Sequence, residues 1–269
     1  MKRFGYSNYY TLQNNIFSGL FVGQNLVTLK EVDSTNNYLK DLLSNSKPVV
    51  EGTVIMAEAQ YAGRGQQQNK WLSEPGKNLT FSLLLKPSFL PVNQQFDLTR
   101  AISLGVIDAL KPHFGEHVKI KWPNDIYIND RKLGGMLIEN LLQGSSIKHS
   151  VVGIGLNVNQ VNFPEGAANP ISFKQILHKD YDLQTILLEI CKNIEVRYLQ
   201  LKAGKTELIR SIYTDSLLGL NDTRHFKSNG IVFIGIITGV TPEGLLKVKQ
   251  NDTEMLYNLK EIEFIKDRS

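Results

Sequence analysis

The feature that most constrains this sequence is a change of grain near its end. From about Leu220 it runs Gly230-Ile231-Val232-Phe233-Ile234-Gly235-Ile236-Ile237, then Pro242-Glu243-Gly244, Leu245-Leu246-Lys247-Val248, Asn251-Asp252 and Met255-Leu256-Tyr257. Short alternating runs cut by tight-turn residues predict a small β-barrel. The stretch before it carries both helical and strand-like periods, so one uniform architecture does not suit the whole chain. A boundary near Leu218 to Asp222 divides it into units 1–219 and 220–269.

Within the first unit the opening to about Lys30 reads as one or two strands and loops. Asp33-Ser34-Thr35-Asn36 supplies helix-capping residue types ahead of Tyr38, Leu39, Leu42 and Leu43, and predicts a helix from about Thr35 to Ser44. Gly52 to Ala59 and Leu79 to Leu85 predict buried strands around a Gly- and Gln-rich loop, Ala62 to Lys70. Leu98, Ile102, Leu104, Val106, Ile107 and Leu110 form a helical stripe that Pro112 is expected to end. Val118 to Trp122 and Asp125 to Ile128 read as extended and joined through Pro123-Asn124. Lys132 to Glu139 and Ser150 to Val158 are further strand candidates, and Leu183 to Tyr198 is a long amphipathic helix. The first unit is therefore mixed α/β.

Composition narrows the function classes. At 42% hydrophobic and 21% charged residues the 269-residue chain is ordinary for a globular protein. Its formal charge of +4 is spread out, with no window of Lys and Arg dense enough for a nucleic-acid tail. A phosphate-bearing small molecule would suit a basic cleft equally well. Cys191 is the only cysteine, which rules out an internal disulfide and a Cys-based zinc or CxxC site and favours the cytoplasm. Neither a signal peptide nor a run of ~20 apolar residues is present. Three weaker motifs fail on inspection. Gly204-Lys205-Thr206 lacks a phosphate loop's first glycine, Leu199 standing in its place. Gly153-x-Gly155 lacks a dinucleotide fingerprint's third glycine, which would fall at Val158. Pro112 and Gly115 argue against a helix that would pair His113 with His117 for a metal.

Two segments carry chemistry. Glu58-Ala59-Gln60-Tyr61-Ala62-Gly63-Arg64-Gly65-Gln66-Gln67-Gln68-Asn69-Lys70-Trp71 is a strand leaving into a glycine-rich loop, where backbone N–H groups can approach an anion and Arg64 can grip it with two prongs. Lys119 to Glu139 contains Lys121-Trp122-Pro123-Asn124-Asp125 and Lys132-Leu133-Gly134-Gly135. Read blandly, this second segment is a charged hairpin turning at Asn129-Asp130 with solvated lysines. That leaves unexplained a glycine pair inside a strand, which is costly unless something approaches the backbone.

Together these segments resemble the biotin protein ligase family, whose motifs are a Gly-Arg-Gly loop ending in Trp and a Lys-Trp-Pro-Asn-Asp stretch followed by Lys-x-Gly-Gly. Ser34-Thr35-Asn36 resembles its Ser-Thr-Asn motif, and Gly153-Ile154-Gly155-Leu156-Asn157 its Gly-x-Gly-x-Asn strand. The resemblance implies a class II aminoacyl-tRNA synthetase-like α/β catalytic domain, with a mixed β-sheet and flanking helices, followed by an SH3-like domain. It implies ATP-dependent formation of biotinyl-AMP, with Mg²⁺, and transfer of biotin to a lysine of a biotin carboxyl carrier protein or domain.

The resemblance also implies residue roles. Ser34, Thr35, Asn36 and Gln60 would contact the ureido head or line the biotin pocket, with Gly135 beside them. Gly63, Arg64, Gly65 and Gln66 would form the loop over biotin and its adenylate. Lys132 would meet the biotin carboxylate and α-phosphate, Trp71 the adenine side, and Asn124, Asp125 and Asn157 the nucleotide or magnesium. Arg64, Lys132 and Asp125 are the catalytic candidates, and no direct protein ligand for a metal is assigned. Gln66-Gln67-Gln68-Asn69 departs from relatives that carry further cations there. About 30 residues precede Ser34, too few for the winged-helix repressor domain of some members, so DNA binding is not expected. A homodimer is the default assembly. The alternatives are a lipoate protein ligase and a non-catalytic biotin-binding module.

Overall fold

The computed structural model describes residues 11–13, 19–45, 48–66, 69–165, 167 and 169–265. The first part contains β1 (Thr11–Gln13), β2 (Leu26–Val32), α1 (Thr35–Ser44), β3 (Val54–Gln60), β4 (Leu79–Leu85), α2 (Gln95–Phe114), β5 (Val118–Lys121), β6 (Asp125–Ile128), β7 (Arg131–Gln143), β8 (Ser146–Leu156), α3 (Phe173–Leu177), α4 (Leu183–Lys202) and α5 (Thr206–Asp215). Its eight strands form one sheet in the order β1-β2-β3-β4-β8-β7-β6-β5. Only β2 and β3 run parallel, and α1 is the crossover that such a pair requires. This is the expected mixed sheet with flanking helices.

Side chains alternate across the sheet, and that period of two builds the site. All seven residues of β4 are buried. Leu79, Phe81, Leu83 and Leu85 enter the large core shared with α2 and α4, whereas Leu84 joins Leu29, Val32, Leu39, Ile55, Ala57 and Val151 under α1. Thr80 and Ser82 share the face of Leu84. In β8 the same parity sends Val152, Ile154 and Leu156 to the large core and leaves Gly153 and Gly155 on the α1 face. Register then aligns rows across strands, namely Thr80, Gly155 and Gly135, and beside it Ser82, Gly153 and Leu137, then Leu84, Val151 and Glu139.

The second sheet contains β9 (Thr223–Ser228), β10 (Ile231–Val240), β11 (Leu246–Gln250), β12 (Thr253–Tyr257) and β13 (Glu263–Phe264), in the order β12-β11-β10-β9-β13. All its pairings are antiparallel, as expected of the small SH3-like module. It shares one core with the helical layer through Phe226, Ile237, Leu246 and Val248. Arg100, almost fully buried on α2, donates to Pro242 O at 2.9 Å and to Thr241 O, and its charge is matched by Asp97 at 2.6 Å. Trp122 Nε1 reaches Gly244 O at 3.0 Å.

Several sequence expectations need correction. Pro112 does not end α2, which continues through His113 to Phe114 and stops at Gly115 with φ of 60°. Pro112 lacks the N–H that would bond Asp108 O and crowds that carbonyl, yet the helix continues for two more residues before it stops. His113 is thus helical, but its Nε2 faces Glu189 at 3.0 Å while His117 pairs with Asn129, so the two histidines do not converge. The strand ending at Trp122 stops at Lys121, β7 and β8 extend around their connecting turn, and α4 runs on to Lys202. Gly204 has φ of 76° between α4 and α5. Residues 1–10 and 14–18 of the opening segment lie outside the described residues.

Candidate active site

The α1 face of the sheet is a trench because glycines omit side chains where other groups enter. A Cβ on Gly155 would lie 2.5 Å from Trp71 Cε2, one on Gly135 2.6 Å from Asp125 Oδ1, and one on Gly153 2.9 Å from Asn36 Cγ. This is the close approach that the glycines in these strands called for. The resulting cavity measures about 460 Å³, and its walls include Ser34, Thr35, Asn36, Gln60, Arg64, Gly65, Gln66, Trp71, Asp125, Lys132 and Gly135.

One end is neutral and dense in hydrogen-bonding groups. Ser34 occupies the N-cap position of α1 with extended backbone, yet its side chain makes no cap bond. Gln60 Oε1 instead accepts the Thr35 N–H at 2.8 Å, so the end of β3 satisfies the helix terminus and the Ser34 side chain borders the cavity. Asn36 Nδ2 donates to Leu137 O at 3.2 Å and to Glu139 Oε2 at 2.8 Å. Asn36 Oδ1 lies 2.5 Å from Ser82 Oγ, which is 2.7 Å from Thr35 Oγ1.

The other end is charged. Pairing of β6 with β7 places Asp125 opposite Gly135 and Tyr127 opposite Lys132, with an irregularity that leaves Leu133 without an opposite residue. That bulge matters because Lys132 and Gly135, three positions apart, would otherwise point to opposite faces. It brings Lys132 Nζ within 2.7 Å of Asp125 Oδ2. The Trp122 to Asn124 connection that carries Asp125 is pinned from behind, where Tyr213 OH donates to Pro123 O at 2.6 Å. Burial pushes the Tyr213 phenol far above its ordinary range, so it stays a donor at any physiological pH.

The glycine loop bridges the two ends. Gly65 N donates to Asn69 O at 2.6 Å and Trp71 N to Gly63 O at 3.0 Å. Gln66 Nε2 reaches Asn124 Oδ1 at 2.7 Å, and Arg64 pairs with Glu139. Nε of Arg64 and Nε1 of Trp71 are buried without a hydrogen-bond partner. Two buried donors of this kind beside a cavity point to a ligand that completes them. Gln67 and Gln68 lie outside the described residues.

Gly63, Asn124 and Asn157 stand behind the wall rather than on it. A Cβ on Gly63 would run into Trp71 O, and Asn124 Nδ2 donates to Met136 O at 3.1 Å. Asn157 is buried and donates to Ile171 O at 3.1 Å. Sequence reasoning missed Glu139, Ser82 and the C-terminal wall made by Leu259, Ile262, Glu263 and Phe264. Glu139 closed the quoted motif without a role, and nothing local marks the others. Among the described residues no group of three or more His, Cys, Asp or Glu could hold a metal.

Comparison with known proteins agrees with this geometry. The model of the biotin/lipoate A/B protein ligase family matches residues 28–157. The chain is 30% identical over 246 residues to the bifunctional ligase/repressor BirA of Bacillus spizizenii, covering 87% of this chain and 75% of that protein. It is 27% identical to the biotin–[acetyl-CoA-carboxylase] ligase of Mycobacterium tuberculosis, covering 81% of this chain and 82% of the other. The Aquifex aeolicus biotin protein ligase solved with biotin and ATP superposes with a TM-score of 0.75 at 29% identity, over 90% of this chain and 99% of that one. A shared fold and relatedness over most of both chains lead to one assignment: the chain belongs to the biotin protein ligase family.

Proposed function

We propose that this chain activates biotin with ATP to biotinyl-5′-AMP and transfers the biotinyl group to one lysine of a biotin carboxyl carrier protein or domain. The observation that carries the reading is the polarity of the trench. A neutral end of amides and hydroxyls, Ser34, Thr35, Asn36 and Gln60, suits an uncharged ureido ring. The adjoining row leads to Asp125 and Lys132, where a carboxylate and a phosphate would meet.

The chemistry follows from leaving groups. A free carboxylate expels none at a useful rate, so it first attacks the α-phosphorus of ATP and pyrophosphate departs. Both reactants are anionic. Arg64 and Lys132 offset their repulsion as charge builds on the phosphorus oxygens. Trp71 Nε1 and Arg64 Nε are donors awaiting acceptors on the nucleotide side. A magnesium ion bound with ATP would neutralise phosphate charge in the first step, and Asp125, beside Lys132, is the carboxylate that could hold it there. In the second step the acceptor's ε-amine attacks the acyl carbon and AMP leaves. Holding amine and anhydride in line is worth ~7–11 kcal/mol. Asp125 is the proposed acceptor of the amine's proton.

The same reading includes the division at 1–219 and 220–269, supported by the second sheet beginning at Thr223. It includes a twofold homodimer, the commonest symmetric assembly. It also includes a cytoplasmic setting, supported by a lone, free Cys191, and no sequence-specific DNA binding. Pyrophosphate release on mixing the protein with ATP and biotin tests the central reaction. Release with lipoate but not biotin would favour a lipoate ligase, and release with neither a non-catalytic module.

A further inference from the structure

Glu139 does not line the cavity, yet two side chains that do, Asn36 and Arg64, end on this carboxylate together with Lys40 of α1. Asn36 Nδ2 and Lys40 Nζ each donate to it at 2.8 Å, and Arg64 pairs with it from the glycine loop. Burial raises its pKa, but hydrogen bonds from Lys40 and Asn36 and the charges of Arg64 and Lys40 outweigh burial and hold the carboxyl below its ordinary value. It is an anion throughout the working range and can only accept.

Counting protons from Glu139 outward fixes the polarity of the neutral wall. Asn36 spends both amide hydrogens, on Leu137 O and Glu139, so its Oδ1 must face Ser82. An amide oxygen only accepts, so the single proton of Ser82 goes to it. The Thr35 hydroxyl, 2.7 Å from Ser82 Oγ, then donates to Ser82. Thr35 is left with lone pairs, and the wall offers an acceptor to a substrate N–H.

We propose that Glu139 is a positioning residue for the ligation reaction, setting the donor–acceptor order Asn36, Ser82, Thr35 and holding Arg64 beside the same pocket. This rests on the ligase reading above. An amide at position 139 would present N–H groups to donors, so Glu139→Gln should disorder the wall while preserving its volume.

The test is biotin-dependent pyrophosphate release, titrated in biotin, for the parent, Glu139→Gln, Glu139→Asp, Ser82→Ala and the double variant Glu139→Gln/Ser82→Ala. Glu139→Gln is expected to raise KM for biotin at least about tenfold with kcat reduced less than about threefold. Glu139→Asp, which keeps the anion, should recover part of that loss. Ser82→Ala should raise KM in the parent but add little in Glu139→Gln, because the proton order is already lost. KM for Glu139→Gln within about twofold of the parent, or fully additive effects, would overturn the proposal. If circular dichroism shows Glu139→Gln unfolded, Glu139→Asp and Ser82→Ala carry the comparison: raised KM in both supports it, and unchanged KM in either overturns it. A parent inactive on biotin would overturn the ligase reading and this inference together, whereas an active parent with unchanged variants overturns the inference alone.

Discussion

The carboxamide of Asn36 fills the space where a side chain on Gly153 would begin, Cγ lying 2.9 Å from that Cβ position. Asn36 cannot give way easily, since Ser82, Leu137 and Glu139 hold all of its polar atoms. Gly153→Ala is therefore expected to keep the fold and weaken biotin binding by at least about tenfold, the scale of one lost polar contact set. Calorimetric titration with biotin checks this, and unchanged affinity would show that the trench floor tolerates a methyl group there.

Lys132 stands beside Asp125 at 2.7 Å, where the proposed reaction brings two anions together. Lys132→Ala should suppress adenylate formation much more than transfer from supplied biotinyl-AMP, since only the first step joins a carboxylate to a phosphate. Equal losses in the two half-reactions would remove Lys132 from the first step.

The contact of Gln66 with Asn124, at 2.7 Å, is neutral on both sides. Dissociation of preformed biotinyl-AMP, followed by stopped flow, should be faster in Gln66→Gly and slower in Gln66→Arg. The difference between neutral and charge-assisted contacts is ~1 kcal/mol, or about fivefold in rate. A Gln66→Gly rate equal to the parent's would remove position 66 from adenylate retention.

Stability has a different focus. Asp97 is fully buried and receives Arg100 at 2.6 Å and Arg210 at 2.7 Å, while Arg100 also reaches across to the second sheet. Removing the anion strands two guanidinium groups, one of them almost fully buried. Asp97→Ala should lose ~3–5 kcal/mol in urea unfolding. A loss below about 1 kcal/mol would mean that the cations relax to water at little cost.

Much of this was legible locally. The bounds of α1, β4 and β6 agree with their sequence patterns because capping residues, β-branched runs and turn formers mark them within a few positions. Polar β9 lacks such marks and went unread, whereas α5 was missed despite Leu208, Ile209, Ile212 and Tyr213 at helical spacing, its N-cap being Lys205 rather than a capping residue. In the site, contiguous motifs supplied Arg64, Trp71, Asp125 and Lys132, and the structure gathers them in one cavity. What was illegible is long-range. Glu139 meets Asn36 across 103 positions, Ser82 meets it across 46, and the C-terminal wall arrives from another sheet. The glycine pair falls between these cases, since its oddity was visible but its cause, Asp125 at one glycine and the β8 backbone at the other, required register.

The central claim is that this trench joins biotin to a protein lysine through an adenylate. Intact-mass and peptide mass spectrometry of a biotin carboxyl carrier domain, incubated with the protein, biotin, ATP and magnesium, tests it most directly. The account predicts one biotinyl amide on one lysine, dependent on ATP and accompanied by AMP and pyrophosphate. A carrier domain left unmodified while the protein remains folded and saturated with biotin and ATP would contradict it.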